Sequence, residues 1–101
     1  MNTQLAINHA QVAAFCRRRH IRKLALFGSV LRDDFRPDSD VDVLVEFRPG
    51  HPVGLIRLAG MELELSELMG RKVDLRTPAD LSPYFRQEVV DSAEAVYVPE
   101  E

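Results

Sequence analysis

Apolar positions along this chain follow two periods. From about Asn8 to Arg19, Val12, Phe15 and Cys16 recur at helical spacing, and Asn8 is suited to cap the first turn. From Ile21 to Phe27 the period drops to two, with Leu24 and Leu26 on one side and Ala25 and Phe27 on the other; Gly28-Ser29 ends this strand abruptly. Val30 to Asp34 reads as a short helix and Phe35 to Ser39 as a turn. Asp40 to Phe47 is the clearest strand: Val41, Val43, Val45 and Phe47 form an apolar face, while Asp40, Asp42, Leu44 and Glu46 form the other. A second helix is predicted from about Val53 to Met69. There Leu58, Met61, Leu65 and Leu68 repeat at three- and four-residue steps, and Gly70 is placed as the stop. Lys72 to Arg76 is a short strand with Lys72, Asp74 and Arg76 on its outer side. Ser82-Pro83 predicts a cap and first helical residue, for a helix running to about Ser92, and Ala95 to Val98 a last strand.

The order helix, strand, strand, helix, strand, helix, strand implies an α/β (α+β) fold, a small mixed β-sheet packed with helices. The 101 residues fit one domain spanning 1–101. So short a chain leaves little room for both a catalytic core and a substrate-selecting domain, so a second copy or a different partner would complete the site. The net charge of −3 counts against a dedicated nucleic-acid binder. A single cysteine, no signal-peptide pattern and no membrane-length apolar run lead to the expectation of a soluble, cytoplasmic protein.

The carboxylates change this plain picture. Asp40 and Asp42 lie one residue apart on a predicted strand, which puts both on one face with Cα atoms roughly 6.5–7 Å apart. An Asp-x-Asp pair alone most often marks a half-solvated strand. But strands disfavour Asp, Leu44 shares the face, and the parity of Val73 and Leu75 puts Asp74 on the same side. Three unpaired carboxylates on one sheet face destabilise a fold and suit a site for two Mg²⁺ ions. Gly28-Ser29, at a strand-to-helix turn, would offer backbone N–H groups to phosphate, with Arg32 adding charge.

Gly28-Ser29, ten residues, then Asp40-Val41-Asp42 resembles the signature of the DNA polymerase β-like nucleotidyltransferase superfamily. The stretch LALFGSVLRDDFRPDSDVDVLVEF followed by GRKVDL resembles the minimal nucleotidyltransferase family, and the likeness runs from about Ile21 to Tyr97. Asp33 stands where many relatives have glycine. The resemblance implies a Mg²⁺-dependent enzyme acting as antitoxin to a HEPN-domain toxin, transferring AMP from ATP to a tyrosine of that toxin. It also implies that Asp40 and Asp42 bridge two ions, that Asp74 binds the ion at the attacking hydroxyl, and that Gly28 and Ser29 hold the β- and γ-phosphates.

Two other functions compete: a binding module that masks its partner stoichiometrically, and an enzyme that adds nucleotides to RNA. The carboxylate triad favours the enzyme over the module, and the acidic charge counts against RNA. His9, His20 and His51 lack zinc-ligand spacing, Cys16 reads as core, and Tyr84 and Tyr97 read as packing residues rather than modification acceptors. Arg17, Arg18, Arg19 and His20 read as solvated cations at a helix end.

Overall fold

A computed structural model describes residues 8–28, 40–50 and 53–98. The short helix and turn expected over residues 30–39, and with them Ser29 and Arg32, lie outside the described residues, as does His51.

Asn8 opens α1 (His9–Arg18) as its sequence position implies, its Oδ1 accepting the Gln11 backbone N–H at 3.1 Å. After α1, His20 takes the left-handed conformation (φ 57°) in which helices commonly end. Its carbonyl accepts the Arg48 N–H at 2.9 Å, tying the helix end to the sheet. Strands β1 (Ile21–Phe27), β2 (Val41–Phe47), β3 (Val73–Arg76) and β4 (Glu94–Tyr97) form one sheet in the order β3-β2-β1-β4. β1 runs antiparallel to both β2 and β4, whereas β2 and β3 are parallel. Parallel neighbours need a crossover, and α2 (Leu55–Met69) supplies it.

The helices α1 and α2 cover one face of the sheet. Val12, Phe15 and Cys16 from α1 and Met61, Leu65 and Met69 from α2 meet the inward rows of β1, β2 and β3, all at 7% exposure or less. Burial pushes the Cys16 thiol up to about 12, which keeps it protonated and inert. The outer edge of β3 is closed by polar side chains of α2: Leu75 N–H donates to Glu62 at 2.8 Å and Val73 N–H to Ser66 Oγ at 2.9 Å. Two arginines expected only as solvated cations also make a specific contact while staying partly exposed. Arg18 and Arg19 both bond Glu64, at 2.6 and 2.7 Å, and lock α1 to α2. These bonds, Arg19's first, hold the Glu64 carboxyl below its usual value.

Element ends differ from expectation where capping decides them. α2 starts at Leu55, capped by Gly54 with no side-chain bond, and stops at Gly70 (φ 66°) as expected. A 3-10 turn over Pro78–Asp80 went unanticipated; the Asp80 carboxylate accepts the Thr77 N–H at 3.1 Å and sets it. Ser82 and Pro83 do not open the helix: Ser82 Oγ accepts the Tyr84 N–H at 3.3 Å within the preceding turn, and α3 (Arg86–Ser92) begins after an off-helical Phe85 (φ −131°, ψ 9°) that caps it with no side-chain bond.

Candidate active site

The inward row of β2 is Val41, Val43 and Val45, so strand alternation sends Asp42 out of the opposite face. Val73 and Leu75 do the same for Asp74. Asp42 and Asp74 are direct partners in the parallel β2–β3 register, on backbones about 4.8 Å apart. Two carboxylates that close repel each other and are costly to desolvate. Asp40 is more remote: it precedes β2 by one residue, is exposed, and lies 3.9 Å from the Lys72 ammonium.

The triad is therefore not the unpaired set the sequence suggests. Arg76, on the same side of β3 as Asp74, grips its carboxylate with Nε at 3.1 Å and Nη2 at 3.3 Å. The hydrogen bond and charge of Asp74 raise the Arg76 guanidinium above its ordinary value. Arg76 thus supplies counter-charge beside two acidic groups. The parity of Asp74 and Arg76 on one short strand was the available signal for this clamp.

Gly28 ends β1 at φ 77°. Phe27 pairs with Asp42 across the β1–β2 ladder, which brings the next residue against the Asp42 side chain. A Cβ on Gly28 would collide with the Asp42 carboxylate. The left-handed backbone favours glycine here before any phosphate is considered, and the Asp42 carboxylate would have to shift for any larger residue.

Asp42, Asp74 and Arg76 open onto a cavity of about 300 Å³ whose other wall is formed by Asp80, Ser82 and Phe85. The sequence reading missed this wall, because it comes from the 3-10 turn and the segment that follows it. Larger hollows, such as one of about 430 Å³ beside Arg18, Arg19 and Arg57, contain none of the three carboxylates. They lie away from the chemistry, so size does not identify the site.

Among the described residues no three His, Cys, Asp or Glu side chains converge as a ready-made metal cage. The donors that are present still fit a hard divalent cation. Two adjacent carboxylates offer only oxygen, and Mg²⁺ commonly takes one or two carboxylates and completes its shell with phosphate oxygens and water.

Residues 10–96 match the model of the nucleotidyltransferase domain family. The chain belongs to that family. This nucleotidyltransferase is 35% identical over 78 residues to the protein adenylyltransferase MntA of Thermococcus cleftensis, covering 77% of this chain and 75% of that protein. It is 34% identical over 70 residues to a Methanocaldococcus jannaschii protein to which protein adenylyltransferase activity is ascribed, covering 68% of this chain and 69% of the relative. A solved structure described as a minimal nucleotidyltransferase superposes with a TM-score of 0.68 at 35% identity, over 91% of this chain and 88% of that one. A toxin–antitoxin structure with AMP-PNP superposes with a TM-score of 0.72 at 20% identity, over 93% of this chain and 76% of that one, and shows likeness of fold. The nucleotidyltransferase carries a small mixed sheet packed with helices, as its pattern of apolar positions implies. No described helix is long and apolar enough to cross a membrane.

Proposed function

We propose that this nucleotidyltransferase transfers AMP from ATP to a tyrosine hydroxyl of a HEPN-type toxin in the cytoplasm, and so acts as its antitoxin. The observation that carries the reading is the direct pairing of Asp42 with Asp74 on the sheet face opposite the core, beside a left-handed Gly28 that leaves room for the Asp42 carboxylate. The related Thermococcus protein is named a protein adenylyltransferase. A structure of like fold holds a tri-AMPylated Shewanella oneidensis HEPN toxin in complex with its MNT antitoxin.

In this reading Asp40, Asp42 and Asp74 would hold two Mg²⁺ ions, and Gly28, Ser29 and Arg32 would hold the β- and γ-phosphates of ATP. The bound cations supply charge neutralisation at the α-phosphate and at the departing pyrophosphate. Asp74 would accept the proton of the attacking hydroxyl. That oxygen bonds to the α-phosphorus as the bond to pyrophosphate breaks. The turn at Gly28 orients the triphosphate for this displacement through backbone N–H groups.

The competing reading is stoichiometric masking, in which the Arg76–Asp74 ion pair would serve the fold and not the chemistry. The two readings separate when the HEPN partner is incubated with this protein, ATP and Mg²⁺ and then weighed by mass spectrometry. The enzyme reading expects a gain of AMP on a partner tyrosine that is lost with EDTA. Neutralisation of the partner with no mass gain would overturn it.

A further inference from the structure

Tyr84 is the side chain that this fold leaves most plainly unexplained. It was expected to pack, yet it is 97% exposed. Its neighbour Phe85 is 49% exposed and forms part of the wall facing Asp42 and Asp74. An aromatic ring held in water forgoes the burial that ordinarily stabilises it.

The backbone beneath these rings is fixed. Ser82 Oγ accepts the Tyr84 N–H at 3.3 Å, and the Ser82 carbonyl accepts the Phe85 and Arg86 N–H groups at 3.2 and 2.9 Å. The Arg86 guanidinium closes the turn from the other side, donating to the Leu81 carbonyl at 3.0 Å. Tyr84 is thus presented outward from a braced turn, which lowers the ordering cost of a contact made there. Tyrosine is also enriched among the few residues that carry binding energy at protein interfaces.

The position identifies the occupant. Whatever donates its hydroxyl to the reaction must reach the cavity containing Asp42 and Asp74, which is lined by Ser82 and Phe85 on either side of Tyr84 in the chain. A small molecule would be held inside the cavity. Only an acceptor that extends beyond it meets a ring pointing into solvent.

Resting on the reading above that the acceptor is a protein, we infer that Tyr84 and Phe85 form the docking rim for that polypeptide, with Tyr84 as the aromatic anchor. Tyr84 is a positioning residue: its ring holds the acceptor chain while the hydroxyl reacts in the cavity.

The test compares Tyr84→Ala and Tyr84→Phe with wild type. Exposure at this position means that neither change disturbs the core. The probes are ATP with Mg²⁺ for nucleotide binding and the HEPN partner for acceptor binding and AMP transfer. Tyr84→Ala is expected to leave ATP affinity unchanged, to raise the acceptor KM about tenfold or more, and to leave kcat at saturating acceptor near wild type. Tyr84→Phe is expected to behave as wild type. An unchanged acceptor KM in Tyr84→Ala would overturn the proposal. So would an equal loss in Tyr84→Phe, or AMP found on Tyr84 itself, since either would assign the hydroxyl a chemical role. If wild type transfers no AMP, the enzymatic reading fails, and docking is then decided by the affinity of the complex. About tenfold weaker binding by Tyr84→Ala would sustain docking, and equal binding would overturn it.

Discussion

The two faces of β2 and β3 come from alternate residues of the same short segments, and they follow opposite rules. On the inner face Val41, Val43, Val45, Val73 and Leu75 are at most 4% exposed, against helices that leave no buried polar or charged residue among those described. On the outer face Asp42, Asp74 and Arg76 bring charge together, and the cost is offset by a fork of hydrogen bonds and by an absent Cβ at Gly28. The outer face is not uniformly wet, because Ala25 and Leu44 are buried there at 1% and 2%. It is a half-dry platform on which charges interact more strongly than they would in water. The comparison teaches that stability and chemistry are separated here by the two-residue period of a strand, not by distance along the chain.

The separation can be broken most severely from the inner face. Leu65→Ala, at a fully buried α2 position, should cost about 2–5 kcal/mol in chemical denaturation, while the remaining folded protein transfers AMP at the wild-type rate. A comparable fall in specific activity would show that the faces are coupled. Gly28→Ala should cross the divide. Its left-handed backbone and the collision with Asp42 predict a loss of about 1–3 kcal/mol together with a loss of Mg²⁺-dependent ATP binding. Full stability with normal ATP binding would mean that the carboxylate moves aside freely.

The smallest effect lies behind the inner face, at Glu64. Its folded value is depressed below 4.5 by Arg19 and Arg18, so its contribution is fully present above that pH and is lost as pH falls through the lower folded value. Both arginines are more than a third solvent-exposed, so screening limits the contribution. Glu64→Gln should therefore cost about 1 kcal/mol at pH 7 and progressively less as the pH is lowered below 4.5, read from denaturation midpoints along that series.

Much of this architecture can be read directly from period. Val12, Phe15 and Cys16, the alternating valines of β2 and the Gly70 stop all fall where a local rule puts them, because each is governed by residues within one turn or one strand. The shared face of Asp42 and Asp74 follows from parity alone. What could not be read depends on contacts between distant segments. The Arg18 and Arg19 bonds to Glu64 span more than forty residues, the site's second wall comes from a 3-10 turn with no apolar period, and the reason for Gly28 appears only once β1 is set against Asp42. Exposure of Tyr84 was likewise invisible, since aromatic character implies burial on average and only the braced turn sets its direction.

The most direct test of a catalytic outer face is Asp42→Asn, measured for AMP transfer and for stability on the same preparation. The substitution keeps the shape of the side chain and removes one of two adjacent like charges. The account predicts that transfer from ATP to the HEPN partner falls by at least about 10²–10³, while the midpoint of unfolding of the metal-free protein stays level or rises. Transfer at the wild-type rate, or a loss of transfer explained entirely by a lower midpoint, would contradict it.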